Sequence, residues 1–263
     1  MAERAERTGK RDLAPKRLDR LRGIVRQSRV VRVEELTSRL RVSTATVRRD
    51  LDRLERLGEI RRVHGGAVGI ESRLEEPLFD DKTAIAAPEK RRIAQAALRY
   101  IEPEHTIYLD GGSTVLELAR LLRDRSNLTV VTNSLRASLE LAGRGPRLIL
   151  VGGELRRLSQ TLVGPLTRLI LENLNVDIAF MGTIGLARAE GLTTTDPAEA
   201  FTKELVMGHA RRVILLADSG KAGKVSFARA GCLSRIDVWI TDRRVDRDFS
   251  EALQQENVEV VIA

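Results

Sequence analysis

Five residues that close one apolar run, Asp110-Gly111-Gly112-Ser113-Thr114, are of the types that hold a phosphate. Glycines let the backbone approach an oxyanion closely. The amides that open the following helix are unpaired, and two hydroxyls add donors. The same residues also have a plainer use. The Gly pair makes a turn, and Thr114 with Glu117 forms a capping box. The two uses are compatible. Four more apolar runs close on small or polar residues: Thr132-Asn133-Ser134, Val151-Gly152-Gly153-Glu154, Met181-Gly182-Thr183 and Ala217-Asp218-Ser219-Gly220-Lys221. Each is ordinary turn chemistry alone. Together they predict a polar pocket along one sheet edge. Lys203 and Lys221 are its candidate cations, and the polar stretch 191–196 reads as a lid. The candidate ligand set is Asp110, Gly111, Gly112, Ser113, Thr114, Asn133, Ser134, Gly152, Gly153, Gly182, Lys203 and Lys221.

A second group of residues fits a different polyanion. A helix predicted from Ser43 or Thr44 to Leu57 buries Val47, Leu51 and Leu54. It turns Thr46, Arg48, Arg49, Asp52, Arg53 and Arg56 outward. A hydroxyl at its start can accept from unpaired first-turn amides, and Gly58 suits its end. A helix of this kind fits the major groove, where Thr meets a thymine methyl or phosphate and Arg meets guanine or phosphate. Residues 60–68 alternate around Gly65-Gly66 and predict a two-stranded wing with Arg61, Arg62 and His64 against the phosphate backbone. An Arg-rich helix face is usually a solvated face, and a lone histidine is usually a packing residue. The combination of helix, turn, basic helix and basic wing is more specific. The candidate DNA-binding set is Ser43, Thr44, Thr46, Arg48, Arg49, Arg53, Arg61, Arg62 and His64.

The elements that must position these groups follow from periodicity. Residues 17–27 carry Leu18, Leu21, Ile24 and Val25 at helical spacing, and residues 33–40 form a second helix with Leu36 and Leu40 on one face. Arg41-Val42 is then a tight turn. From Glu89 onward helices and short apolar strands alternate, with strands expected at 105–109, 128–132, 147–151, 177–181, 212–217, 237–241 and 258–262. This pattern predicts an α/β domain with a mostly parallel sheet, whose ligands sit at strand carboxyl ends. The domains expected are a mobile basic tail over 1–16, a winged helix-turn-helix over 17–70, a linker over 71–88 and an effector-sensing α/β domain over 89–263.

Composition narrows the classes. The 263 residues are 42% hydrophobic and 31% charged, which excludes disordered and collagen-like chains. Aromatics make up 3%, so aliphatic side chains must build the core. No apolar run reaches the roughly 20 residues of a membrane helix, and the charged start shows no secretory signal. Cys232 is alone, so no internal disulfide and no Cys-rich zinc site is expected, and a reducing cytoplasm is the expected location. The net charge of +8 is segregated. Residues 1–76 hold 20 Lys/Arg against 13 Asp/Glu, whereas residues 77–263 hold 25 against 24. A basic head beside a near-neutral body points to nucleic acid as the partner of the head.

The runs Val42-Ser43-Thr44-Ala45-Thr46-Val47-Arg48-Arg49-Asp50-Leu51 and Arg61-Arg62-Val63-His64-Gly65-Gly66 resemble the DeoR family of bacterial transcriptional regulators. The strand-end runs, with the stretch Gly191-Leu192-Thr193-Thr194-Thr195-Asp196, resemble that family's effector domain, so the likeness spans about residues 17–245. It implies a repressor of a sugar-catabolism operon. It also implies a sensor domain related to ribose phosphate isomerases, release from the operator by a phosphorylated sugar, and a phosphate loop at Gly112-Ser113-Thr114. One departure is chemical. Many relatives have an acidic residue in a G-A-D-G run after the fourth strand, where the isomerases use a catalytic aspartate. Here that run is Gly182-Thr183-Ile184-Gly185. Ile184 cannot act as a base.

The expectation is therefore a homo-oligomeric DNA-binding regulator, dimer or tetramer. Its partners are an operator duplex and a phosphorylated sugar, without cofactor, metal, membrane or catalysis. The alternative is an active sugar-phosphate isomerase with a DNA-binding head. A third possibility is a regulator whose large domain serves protein contacts alone.

Overall fold

The computed structural model describes residues 14–28, 30–56, 60–63, 65–69 and 76–263. The chain divides into two compact units, residues 1–72 and 73–263. Of the tail expected over 1–16, residues 1–13 lie outside the described ones.

The first unit runs α1 (Ala14–Ser28), β1 (Val30–Arg32), α2 (Val33–Leu40), α3 (Thr44–Arg56), β2 (Ile60–Val63) and β3 (Gly66–Gly69). Helix α1 starts inside the expected tail. Leu18, Leu21, Val25, Leu36, Leu40, Val47, Leu51 and Leu54 form one buried cluster, as their helical spacing requires. Truncating a fully buried leucine such as Leu51 to alanine costs about 2–5 kcal/mol. Helix α2 ends on Arg41, whose φ of 52° is left-handed, and this sharp reversal sets α3 against α2. Residues 57–59, with the expected stop at Gly58, lie outside the described residues. The wing has a third strand: β3 pairs antiparallel with β2 on one side and with β1 on the other.

The second unit contains α4 (Phe79–Ala84), α5 (Ala87–Ala97), β4 (Thr106–Leu109), α6 (Ser113–Leu121), β5 (Thr129–Thr132), α7 (Leu135–Leu141) and β6 (Arg147–Leu150). Next come β7 (Glu154–Arg156), β8 (Thr161–Val163), α8 (Arg168–Leu171), β9 (Val176–Met181), β10 (Gly185–Ala187), β11 (Gly191–Thr194) and α9 (Pro197–Gly208). It ends with β12 (Ala210–Leu216), β13 (Ala228–Gly231), β14 (Val238–Thr241), α10 (Arg247–Gln255) and β15 (Glu259–Ile262). Seven strands form a parallel sheet in the order β15-β14-β12-β9-β4-β5-β6. Its strands read as apolar runs because both faces are covered. Ile107 and Leu109 face a cluster with Ile93, Val115 and Leu118, while Tyr108 between them faces one with Met181, Trp239 and Val206.

Two expectations change in this unit. Of the linker expected over 71–88, residues 71–75 lie outside the described residues. Residues 76–88 are folded, with Glu76 and Phe79 buried and α4 formed. The stretch 191–196 is not a lid. Thr193 and Thr194 belong to β11, which is buried and pairs antiparallel with β10 and β13, and Thr195 follows it.

Candidate functional site

In the first unit, Ser43 Oγ accepts from the Thr46 amide at 3.3 Å and lies 2.9 Å from Thr46 Oγ1. Ser43 is therefore the cap that starts α3, and its hydroxyl is committed to that task. Ser43, Thr44, Arg48, Arg49 and Arg53 are exposed, and Thr46 is half-buried. Arg49 and Arg53 are four residues apart and share one helix face. Asp50, inside the same basic run, turns inward and ties α3 to α1 through Arg17, 2.7 Å away. Arg62 is also committed: its guanidinium pairs with Asp52, and its amide donates to Glu55 Oε1 at 2.8 Å. Arg61 stands on β2. His64 lies outside the described residues.

In the second unit the chain runs outward through β4, β5 and β6, then returns to the other side of β4 through β9, β12, β14 and β15. The order reverses between β4 and β9, and a crevice opens at such a point beyond the strand ends. A pocket lies there. It is lined by Gly111, Gly112, Ser113 and Thr114 after β4, by Gly182, Thr183 and Ile184 after β9, and by Leu216, Ala217, Asp218 and Lys221 at the end of β12 and beyond. Glu199 and Lys203 of α9, Lys90 of α5, and Pro77, Lys82 and Ile85 complete it.

The N-cap of helix α6 is Gly112 rather than Thr114, so no side chain caps the helix and the expected capping box between Thr114 and Glu117 does not form. Its first-turn amides and positive dipole end face the pocket. A Cβ on Gly111 would run into the Thr161 side chain, so only glycine lets β8 press this close behind the loop.

The cations are unequal. Lys203 is almost wholly buried and pairs with Asp110. It also donates to the Gly182 carbonyl at 3.1 Å and lies 3.5 Å from Glu199 Oε1. Asp110 in turn accepts from the Gly182 amide at 2.9 Å. Burial alone would lower the Lys203 pKa, but Asp110 and Glu199 outweigh it and raise it. Arg156 reaches Glu199 at 3.1 Å and Glu76 at 2.7 Å, and Glu76 pairs with Lys82. Burial would raise the Glu76 pKa, yet Lys82, Thr195 and Arg156 hold it at about 2. Lys90 and Lys221 have no carboxylate at ion-pair distance among the described residues. Burial lowers the Lys90 pKa to about 8, against the attraction of Asp218 and with the repulsion of Lys221 and Lys82. Burial lowers that of Lys221 as well.

Of the residues selected by sequence, the pocket brings together Gly111, Gly112, Ser113, Thr114, Gly182, Lys203 and Lys221, with Asp110 paired beneath them. It does not include Asn133, Ser134, Gly152 or Gly153. Their strands, β5 and β6, lie beyond β4 on the side away from β9. Asn133 exchanges hydrogen bonds with Leu162, and Ser134 caps α7 by accepting from the Ala137 amide at 3.2 Å. Gly153 packs on the β8 backbone, where a Cβ would sit 2.9 Å from the Val163 carbonyl oxygen. Asn133, Ser134 and Gly153 thus contact β8 of the hairpin that backs the loop. Sequence reasoning missed Lys82, Lys90, Glu199, Glu76 and Arg156. The first and fourth lie in the stretch taken for a linker, and the others sit among ordinary charged residues of helices and strands. Ile184 also lines the pocket.

Comparison with known proteins decides the family. A DeoR-like helix-turn-helix domain model matches residues 17–73, and a DeoR C-terminal sensor domain model matches residues 85–243. The chain belongs to the DeoR family of transcriptional regulators. It is similar to the HTH-type transcriptional regulator GlpR of Haloferax volcanii, at 39% identity over 87% of this chain and 90% of the relative. It is similar also to the lactose phosphotransferase system repressor of Streptococcus mutans, at 35% identity over 88% and 92%. A ribose 5-phosphate isomerase of Methanocaldococcus jannaschii superposes on 53% of this chain and 56% of its own, with 19% identity and a TM-score of 0.40. This DeoR protein is thus a DNA-binding regulator with a sensor domain, and its relatives are regulators rather than enzymes. Among the described residues no helix is long and apolar enough to cross a membrane, and no group of three or more His, Cys, Asp or Glu is placed to hold a metal.

Proposed function

We propose that this DeoR protein is a cytoplasmic repressor of a sugar-catabolism operon, released from its operator when a phosphorylated sugar enters the sensor pocket. The observation that carries the reading is the uncapped start of α6 at the sheet's switch point, with Lys90 and Lys221 beside it and, among the described residues, no acid at ion-pair distance from either. A phosphate dianion supplies the charge these ammonium groups lack and the acceptors the Gly111–Thr114 amides need. Gly182, Thr183 and Ile184 then meet the sugar. Arg48, Arg49 and Arg53, with Thr44 and Thr46, enter the major groove, and Arg61, Arg62 and His64 follow the phosphate backbone. A homodimer or tetramer would match a symmetric operator.

The ligand acts by binding the DNA-competent and DNA-incompetent arrangements unequally. A calorimetric titration with ribose 5-phosphate, fructose 1-phosphate and glucose 6-phosphate, each beside its free sugar, tests the pocket. Binding of a phosphorylated member without its free sugar is the expected result. Equal binding of both forms would remove the phosphate from the account.

A further inference from the structure

Two of the ammonium groups that line the pocket, Lys82 and Lys90, are also ties that hold one chain segment in place. Residues 76–85 form a pocket wall, to which Pro77, Lys82 and Ile85 contribute. The segment is fixed at its start by Glu76, whose carboxylate pairs with Lys82 and with Arg156 and accepts from Thr195 Oγ1 at 2.7 Å. It is fixed at its end by Lys90, whose ammonium donates to the Lys82 carbonyl oxygen. The Glu76 side chain is fully buried. Arg156 continues the chain of charges to Glu199, which lies beside Lys203 on the far wall.

We propose that residues 76–85 are the element through which the sensor pocket acts on the rest of the chain, with Glu76 as its latch. The inference rests on the phosphate reading of the pocket. Each tie is made by a group with a competing use. A bound phosphate draws Lys90 away from the Lys82 carbonyl and draws Lys82 away from Glu76. Glu76 is then held by Arg156 and Thr195 alone. The segment has two arrangements that differ in these pairings, and an anion favours one of them, which is what linkage requires. Segment 76–85 is also the first described part of the second unit in chain order after β3 of the wing, so the backbone leads from it toward the DNA-binding unit. Glu76 is a positioning residue, because it does not line the pocket.

Hydrogen exchange read by mass spectrometry on the full chain tests this, with inorganic phosphate as the probe and chloride at equal ionic strength as the control. In the parent protein, phosphate should slow exchange over residues 111–116. It should speed exchange over 78–86, where the Lys82 amide bonds Leu78 and the Ile85 amide bonds Asp81, by roughly 5-fold or more, the lower end of common coupling factors. In Glu76→Gln, where only the Lys90 tie remains, exchange over 78–86 should already be faster and should respond less, while the response over 111–116 persists. Thr195→Val removes one hydrogen bond without removing charge and should give an intermediate result. Protection of 111–116 with no change over 78–86 in the parent would overturn the inference and leave the pocket reading intact. An equal response of 78–86 in parent and Glu76→Gln would overturn the role of Glu76. No protection of 111–116 would overturn the phosphate reading and the inference together.

Discussion

Lys203, on α9, pairs with Asp110 at the end of β4, and both side chains are buried beneath the sensor pocket. Such a pair adds little stability relative to apolar residues of the same volume, because desolvation offsets the attraction. Breaking it is costly, because one charge is left alone. Lys203→Met should therefore destabilise the protein by about 3–5 kcal/mol in urea denaturation. Asp110→Asn with Lys203→Met should recover part of that loss. A single variant as stable as the parent would show that the pair is not closed in solution.

Glu76 titrates at about 2 in the folded protein, against an ordinary 4.5. Its folded pKa is depressed, so its contribution is complete above about pH 4.5 and is lost as pH falls toward 2. The amount is about 3 kcal/mol by linkage. Denaturation midpoints between pH 6 and pH 3 should fall more steeply in the parent than in Glu76→Gln. Parallel profiles would contradict the ion-pair assignment.

Lys90 titrates at about 8, well below an ordinary lysine, chiefly because it is buried. An anion beside it raises that pKa again, so binding above pH 8 must take up a proton. Affinity for a phosphorylated ligand should be flat between about pH 7 and 8, where the phosphate is already a dianion, and then fall, by up to about tenfold per pH unit. Calorimetry in buffers of different ionisation enthalpy reads the proton uptake directly. Affinity independent of pH between 7 and 10 would exclude Lys90 from the anion's neighbours.

Arg49 and Arg53 are exposed on one face of α3, while Arg62 is engaged with Asp52. Arg49→Ala should weaken operator binding by about 1–3 kcal/mol if it reads a base edge. Arg62→Ala should have a smaller effect on affinity, because its charge is already paired. Fluorescence anisotropy at several salt concentrations separates base reading from phosphate contact through the salt slope. Loss of affinity in Arg62→Ala larger than in Arg49→Ala would reverse this assignment.

The helix-turn-helix was legible because apolar spacing and basic outward positions coincide, and Val47, Leu51 and Leu54 are buried as their period requires. The parallel sheet was legible from its apolar runs. Strand order was not. Sequence alone cannot place β9 rather than β5 across the crevice from the loop, so it does not separate Asn133, Ser134, Gly152 and Gly153 from the residues that line the pocket. Lys90 escaped notice because a buried lysine on an amphipathic helix resembles any solvated one. The threonines of β11 suggested a loop because polar side chains hide a strand that is buried on every residue.

In the proposed mechanism the loop opening α6 senses a phosphorylated ligand, and the bound ligand changes DNA affinity. The most direct measurement is fluorescence anisotropy of the full chain on a duplex from its own upstream region, with phosphorylated sugars titrated into the complex. The parent should dissociate with one of them and not with its free sugar. Ser113→Ala with Thr114→Ala should bind the same duplex equally well and need a much higher concentration of that ligand. A double variant that dissociates at the parent's concentration would contradict the account.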